Sequence, residues 1–328
     1  MNRPVLVTGG NGFVGSHVVE ELLQEGYSVR CLLRPHSRPD WIETLPVDIV
    51  RTDYSDLNSL REAISGCEAI LHFGGATKAK NKESYFDANA RTTGNLLEAA
   101  TDVCPDLSLF LFCSSQAAVG PSPSLDPLDE NAPPHPISAY GWSKMTAEKI
   151  CLESQAKFPL CIVRPSAVYG PRDKDILIFF KAMRWGIAPA IGRGERYLSM
   201  VYVKDIARLC GLILKKKPQG TQIFHVTDGD MHRWSTISDT IAEAMDKRPL
   251  RVNVPVGLTV LIGKILSGYA NFAGRIATLN REKIDDILQN YWLISSDKAQ
   301  KELGFKPKYK LSDGVEETVR WYREHGWL

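Results

Sequence analysis

Residues 4–17 read PVLVTGGNGFVGSH. An apolar run ends at Val7, a helical pattern begins near Gly12, and glycines fill the space between. Gly9, Gly12 and Gly15 have the spacing G-x-x-G-x-x-G, and Gly10, Gly12 and Gly15 also satisfy G-x-G-x-x-G. Glycines there permit a tight turn and close approach of the backbone to a pyrophosphate at the helix N-terminus. Phe13 and Val14 complete this candidate cofactor-binding turn. A bare G-x-G-x-x-G says little. A strand before it and a helix after it, near the start of the chain, make it a dinucleotide fingerprint rather than an ordinary glycine turn.

The rest of the chain agrees. Apolar runs at 4–8, 29–33, 47–50, 69–73, 108–113, 160–164 and 222–227 alternate with longer helical patterns. This rhythm predicts βαβ units and an α/β, Rossmann-type doubly wound parallel sheet. It breaks after about residue 170. Residues 1–170 plus 199–228 are expected to form the nucleotide-binding domain, and 171–198 plus 229–328 a smaller, discontinuous substrate lobe. A final helix is expected over 312–326, with Ser312 as N-cap and Gly326 past its end.

Composition excludes more than it assigns. The formal net charge of +2 gives no argument for nucleic acid. Seven scattered cysteines, with no CxxC and no zinc spacing, predict buried free thiols in a reducing compartment and no metal site. No signal peptide is visible, so a cytoplasmic location is expected. The greasiest stretch, 254–279, carries Lys264 and Arg275 and is too interrupted to span a membrane.

A dinucleotide fold usually places an acid at the end of the second strand to hold the ribose 2′-hydroxyl. Here that position is Leu33, followed by Arg34, with Arg38 close behind. A guanidinium suits a 2′-phosphate, so NADP(H) is favoured over NAD(H). Further on, Tyr140 and Lys144 stand four apart in SAYGWSKMTAEK, one helical turn from each other.

TGGNGFVG (8–15), DYSD (53–56), LHFGGAT (71–77), CSS (113–115), YGWSK (140–144), RPSAVYGPRD (164–173) and YVKDIA (202–207) follow one another as in the extended short-chain dehydrogenases/reductases, which the chain resembles nearly end to end. The resemblance implies that Tyr140 is the acid/base, that Lys144 lowers its pKa and binds the nicotinamide ribose, and that Ser115 holds the substrate oxygen, with Ser114 as the alternative. It also implies that Asp53 and Tyr54 flank the adenine and that the backbone of Phe73, Gly74 and Gly75 lines the cofactor. Asn89 would hold the strand beneath it, and Pro165 and Ser166 would lie by the nicotinamide. A phenol of pKa about 10 is a poor base at neutral pH, and a nearby cation favours phenolate.

Departures from the family bear on substrate. Gln116 and Ala117 replace the Asp-Glu pair of the 4,6-dehydratases. Ala167 and Thr92 replace an Asn and a Gly usual in the family, and Leu198 stands where nucleotide-sugar epimerases commonly carry a diphosphate-binding Arg, although Arg193 or Arg196 could reach. The overall look is similar to the 3β-hydroxysteroid dehydrogenase and dihydroflavonol reductase branch. The expected activity is interconversion of a ketone and a secondary alcohol on a small, apolar substrate. The alternatives are a nucleotide-sugar epimerase and a non-catalytic NADP-binding protein. Residues 254–279 would cap the substrate, touch a membrane surface, or form plain lobe core. The family pattern implies a homodimer through the helices near 88–102 and 140–158.

Overall fold

The computed structural model describes residues 3–192, 194–258, 260–261 and 285–328. Arg193 and most of the 254–279 segment lie outside the described residues. Six of the apolar runs form strands β1 (Val5–Thr8), β2 (Val29–Leu33), β3 (Asp48–Arg51), β4 (Ala69–His72), β5 (Leu109–Cys113) and β6 (Leu160–Pro165). Then β7 (Ala167–Tyr169), β8 (Ile187–Ile191) and β9 (Tyr197–Tyr202) leave the main sheet, and β10 (Thr221–Val226) rejoins it. The seven-stranded sheet is parallel, in the order β10-β6-β5-β4-β1-β2-β3. Its central strands are apolar on both sides because helices cover both faces.

The helices are α1 (Phe13–Gln24), α2 (Leu57–Ile64), α3 (Lys82–Phe86), α4 (Thr92–Val103), α5 (Ala139–Glu153), α6 (Leu177–Arg184) and α7 (Val203–Lys216). One face of the sheet carries α1, α7 and the later residues Ala299, Leu303 and Phe305; the other carries α2, α4 and α5. A third core, around Phe180, Met183, Ile237, Val315 and Tyr322, belongs to the smaller lobe. There β9 pairs with β7, with Met231–Arg233 and with Tyr291–Trp292, while β8 pairs with Leu250–Val254. The C-terminal helix spans Leu311–Glu324, so Ser312 lies inside its first turn. Leu311 is buried and is drawn into the helix, and the Asp313 carboxylate accepts the Lys310 N–H. Gly326, at φ +68°, follows the helix end as expected.

The strand order reverses between β1 and β4, the switch point where a doubly wound sheet opens a crevice at its carboxyl edge. In the turn after β1 the closest approaches fall at Gly9 and Gly15. Gly9 has φ +66°, and a Cβ there would lie 2.7 Å from the Phe73 carbonyl carbon. A Cβ on Gly15 would lie 2.2 Å from the Gly9 oxygen. A Cβ on Gly10 or Gly12 would meet its nearest neighbour less closely, at 3.1 Å.

A buried ion pair ties α5 to the sheet. Arg164 of β6 donates from Nε and Nη2 to the two carboxylate oxygens of Glu148, at 2.9 and 2.7 Å. The Ser114 hydroxyl donates to the same carboxylate. Arg164 Nη1 reaches His225 Nε2 on β10, at 3.3 Å, and His225 Nδ1 faces the Leu128 carbonyl. Burial and then the Arg164 charge push His225 down to about 3, so it stays neutral and Nε2 can accept. Removing one partner would strand a buried charge. Glu148→Ala is expected to lower the unfolding free energy by about 3–5 kcal/mol, read from urea denaturation; a loss below about 1 kcal/mol would mean that Arg164 finds another partner.

Candidate functional site

A cleft of about 890 Å³ opens at the carboxyl edge of the sheet and runs into the smaller lobe. At one end lie Gly9, Gly12, Phe13, Val14 and Gly15; at its middle lie Phe73, Gly75, Ser115, Tyr140, Lys144, Pro165 and Ser166. The chain thus brings these twelve expected positions, from five separate loops and helices, to one wall. Gly74, Asn89, Arg34, Asp53 and Tyr54 do not line it. Gly74 and Asn89 hold the wall from behind. The Arg34 side chain is exposed. The exposed Asp53 carboxylate accepts the N–H and Oγ of Ser55, which hold it below the usual carboxylate range. Tyr54 donates its hydroxyl to the Leu32 carbonyl at 3.0 Å.

Two observations bear on a dinucleotide. α1 opens with no side-chain cap, leaving its first amides to an anion in the cleft. Ser166 Oγ lines the cleft and is buried with no hydrogen-bond partner. The residues present therefore fit such a ligand.

Behind the wall runs a chain of hydrogen bonds that the sequence motifs do not announce. The Gly74 N–H donates to Thr8 Oγ1 at 2.9 Å, and Thr8 Oγ1 lies 2.6 Å from His72 Nδ1. His72 Nε2 lies 3.0 Å from Thr93 Oγ1, which donates to the Asn89 carbonyl at 2.6 Å. This set of partners assigns the His72 proton to Nε2. Burial, with the Lys144 charge behind it, pushes His72 down to about 3, which keeps the ring neutral. The Asn89 side chain then clasps both backbone groups of Ala76, at 2.8 and 3.1 Å, and donates to Ser143 Oγ at 2.8 Å. Ser143 in turn donates to the Tyr140 carbonyl at 2.8 Å. The loop after β4 and the first turn of α5 are thus held by one network.

Tyr140 and Lys144 do share a helix face and line the cleft, Lys144 buried and Tyr140 half-buried. Their electrostatics differ from the simple expectation of a lysine that lowers the phenol's pKa. Burial raises the Tyr140 phenol well above its ordinary value, the Cys113 thiol adds to this, and the neighbouring Ser115 hydroxyl opposes it. Burial likewise lowers Lys144, against the pull of Cys113 and Glu148. Its ammonium donates to the Cys113 carbonyl at 2.8 Å and lies 4.7 Å above the Phe112 ring. Ser115 accepts the Ala117 N–H at 3.1 Å, whereas the Ser114 hydroxyl is committed to Glu148.

Where the ribose acid would stand, a third arginine supports the loop after β2. Arg51 Nη1 donates to the carbonyls of Arg34, Pro35 and Ser37, at 3.2, 3.1 and 2.7 Å. Asn11 of the glycine turn donates to the Arg38 carbonyl at 2.8 Å. Nearby, Trp41 lines the cleft with the Arg172 guanidinium 5.3 Å from its ring, and it packs against Trp321 of the C-terminal helix. The lobe half of the cleft is lined by Phe179, Phe180, Leu198, Met200, Trp234, Ile237 and Trp292, and also by Arg196, Asp286 and Gln289. Leu198, the place of the diphosphate-binding arginine in epimerases, is part of that apolar wall.

Comparison with known proteins agrees with the geometry. Residues 5–226 match the NAD dependent epimerase/dehydratase family. The chain is 27% identical over 325 residues to a ceramide reductase of Caulobacter vibrioides, covering 99% of this chain and 96% of that protein. It is 26% identical over 332 residues to a decarboxylating sterol-4-alpha-carboxylate 3-dehydrogenase of Dictyostelium discoideum, covering 96% and 99%. Among solved structures, gox2253 superposes with a TM-score of 0.82 at 27% identity, over 100% of both chains. The chain therefore belongs to the NAD dependent epimerase/dehydratase family and is an NAD(P)-dependent enzyme of the extended short-chain dehydrogenase/reductase type.

Proposed function

We propose that this enzyme interconverts a ketone and a secondary alcohol on a small, apolar substrate, with NADP(H) as the preferred cofactor. The observation that carries the reading is the single wall on which the uncapped start of α1, Ser166, Ser115, Tyr140 and Lys144 meet an apolar chamber. A nicotinamide cofactor held along this wall, beside Pro165 and Ser166, would supply the hydride acceptor and donor. Tyr140 Oη accepts the hydroxyl proton in oxidation and donates it in reduction. Ser115 Oγ holds the same oxygen, so that the carbon faces the ring. Lys144 supplies positive charge to the phenolate and binds the ribose. Ser166 Oγ offers a partner to the carboxamide.

The aromatic and aliphatic side chains of the lobe half support an uncharged body over a sugar nucleotide, while Arg196 in the same lining is the feature that a sugar nucleotide would use. The names of the two relatives, acting on a ceramide and a sterol carboxylate, point the same way. Arg34 and Arg38, on a loop shaped by Arg51, support the 2′-phosphate. The exposed Trp142 and Leu152 of α5 support a homodimer.

Tyr140→Phe is expected to lower turnover by at least about 100-fold, with NADPH affinity by fluorescence titration nearly unchanged; retained turnover would refute the acid/base role. Because burial keeps the phenol protonated, alcohol oxidation should rise with pH through the neutral range while ketone reduction stays flat, as measured by initial rates in both directions. Arg34→Met should weaken NADPH binding about tenfold or more and leave NADH binding as it was. An equal loss for both cofactors would deny the NADP preference.

A further inference from the structure

The lobe carries a second apolar feature, on its outside. Trp185 is 82% exposed and Leu250 is 72% exposed, and Ile178 and Ile187 are exposed with them. They follow one another from α6 into β8 and its strand neighbour. Ile178 and Trp185 stand two turns apart on one side of α6, with Lys181 between them. The chain then turns at Gly186, whose carbonyl accepts the Leu250 N–H at 2.8 Å. Leu250 is in register with Ile187 on the parallel neighbour of β8, so both side chains leave the same side of the strand pair. Isolated exposed apolar residues are ordinary, but an adjoining group headed by a tryptophan is not.

Cations flank the group. Residues 177–191 and 245–250 hold Lys181, Arg184, Lys247 and Arg248, all exposed, against one carboxylate, Asp246, while Arg251 leaves the opposite side of the strand pair. The adjoining helix Trp234–Ala244 adds Asp239, which pairs with Arg251, and Glu243. A tryptophan and aliphatic side chains flanked by long cationic ones match the chemistry of a bilayer interface: rings and chains enter the headgroup layer, and ammonium and guanidinium groups meet lipid phosphate. We propose that this face docks on an anionic lipid bilayer. The same elements line the cleft, through Phe179 and Phe180 of α6 and Pro189 of β8. Docking would therefore set the apolar chamber beside the membrane. The proposal stands apart from the assigned chemistry, since binding is read without turnover.

The test is co-sedimentation of the full-length protein with vesicles of phosphatidylcholine alone or mixed with phosphatidylglycerol. The protein should pellet with the anionic vesicles, dissociate at high salt, and stay in solution with the neutral ones. The double variant Trp185→Ser/Leu250→Ser should partition at least about tenfold less, and Lys181→Glu/Arg184→Glu about twentyfold less or more. All four positions are exposed, and circular dichroism verifies each fold; should one variant misfold, the other decides. No pelleting with anionic vesicles, or equal pelleting of a folded variant, would overturn the proposal. So would light scattering that shows a dimer dissociated by Trp185→Ser, which would assign the face to a second copy of the chain.

Discussion

The site depends on how closely two backbones approach. The Gly9 carbonyl lies so near Gly15 that no side chain fits between them, and Gly9 itself presses on the loop after β4. That loop is then held from both ends, by Thr8 at Gly74 and by Asn89 at Ala76. Once β1 and β4 are adjacent, the glycine turn, the loop after β4 and the start of α5 have little freedom left. The wall of the cleft is in this sense a by-product of sheet packing at the switch point.

Glu148, Arg164 and His225 do the corresponding work on the far side of α5. They place ionic and imidazole groups where a hydrophobic core would otherwise continue. Such a network is not needed for stability as such, since apolar replacements of similar shape often serve as well. Its geometry does fix the rotation of α5 about its own axis. That rotation decides whether Tyr140 and Lys144 face the cleft.

The sequence made the fold legible because its signals were local. The glycine spacing, the apolar runs of buried strands and the alternation of strand and helix each need only a few neighbouring residues. The wall of the site was legible for the same reason, since its residues sit at strand ends and at the start of helices. What stayed hidden was pairing across long separations. Thr8 with His72, Glu148 with Arg164, and Arg51 with the loop after β2 join residues that look ordinary where they stand. Asp53 and Tyr54 show the reverse case: their motif is plain in the sequence, yet their side chains turn to Ser55 and to the Leu32 carbonyl. The exposed face around Trp185 and Leu250 was equally invisible, because two segments more than sixty residues apart supply it.

Two of the buried imidazoles carry a consequence for the whole molecule. His72 and His225 are both held near 3 in the folded chain, while an unfolded histidine takes up its proton at about 6.5. The stabilisation is complete above the unfolded value and is lost as pH falls from there toward 3. Across that window the unfolded chain binds up to two protons that the native sheet refuses. Acidification therefore destabilises the fold through imidazoles on β4 and β10, beginning above the pH range of ordinary carboxylates. The two histidines make a mildly acidic environment a chemical weak point of the sheet.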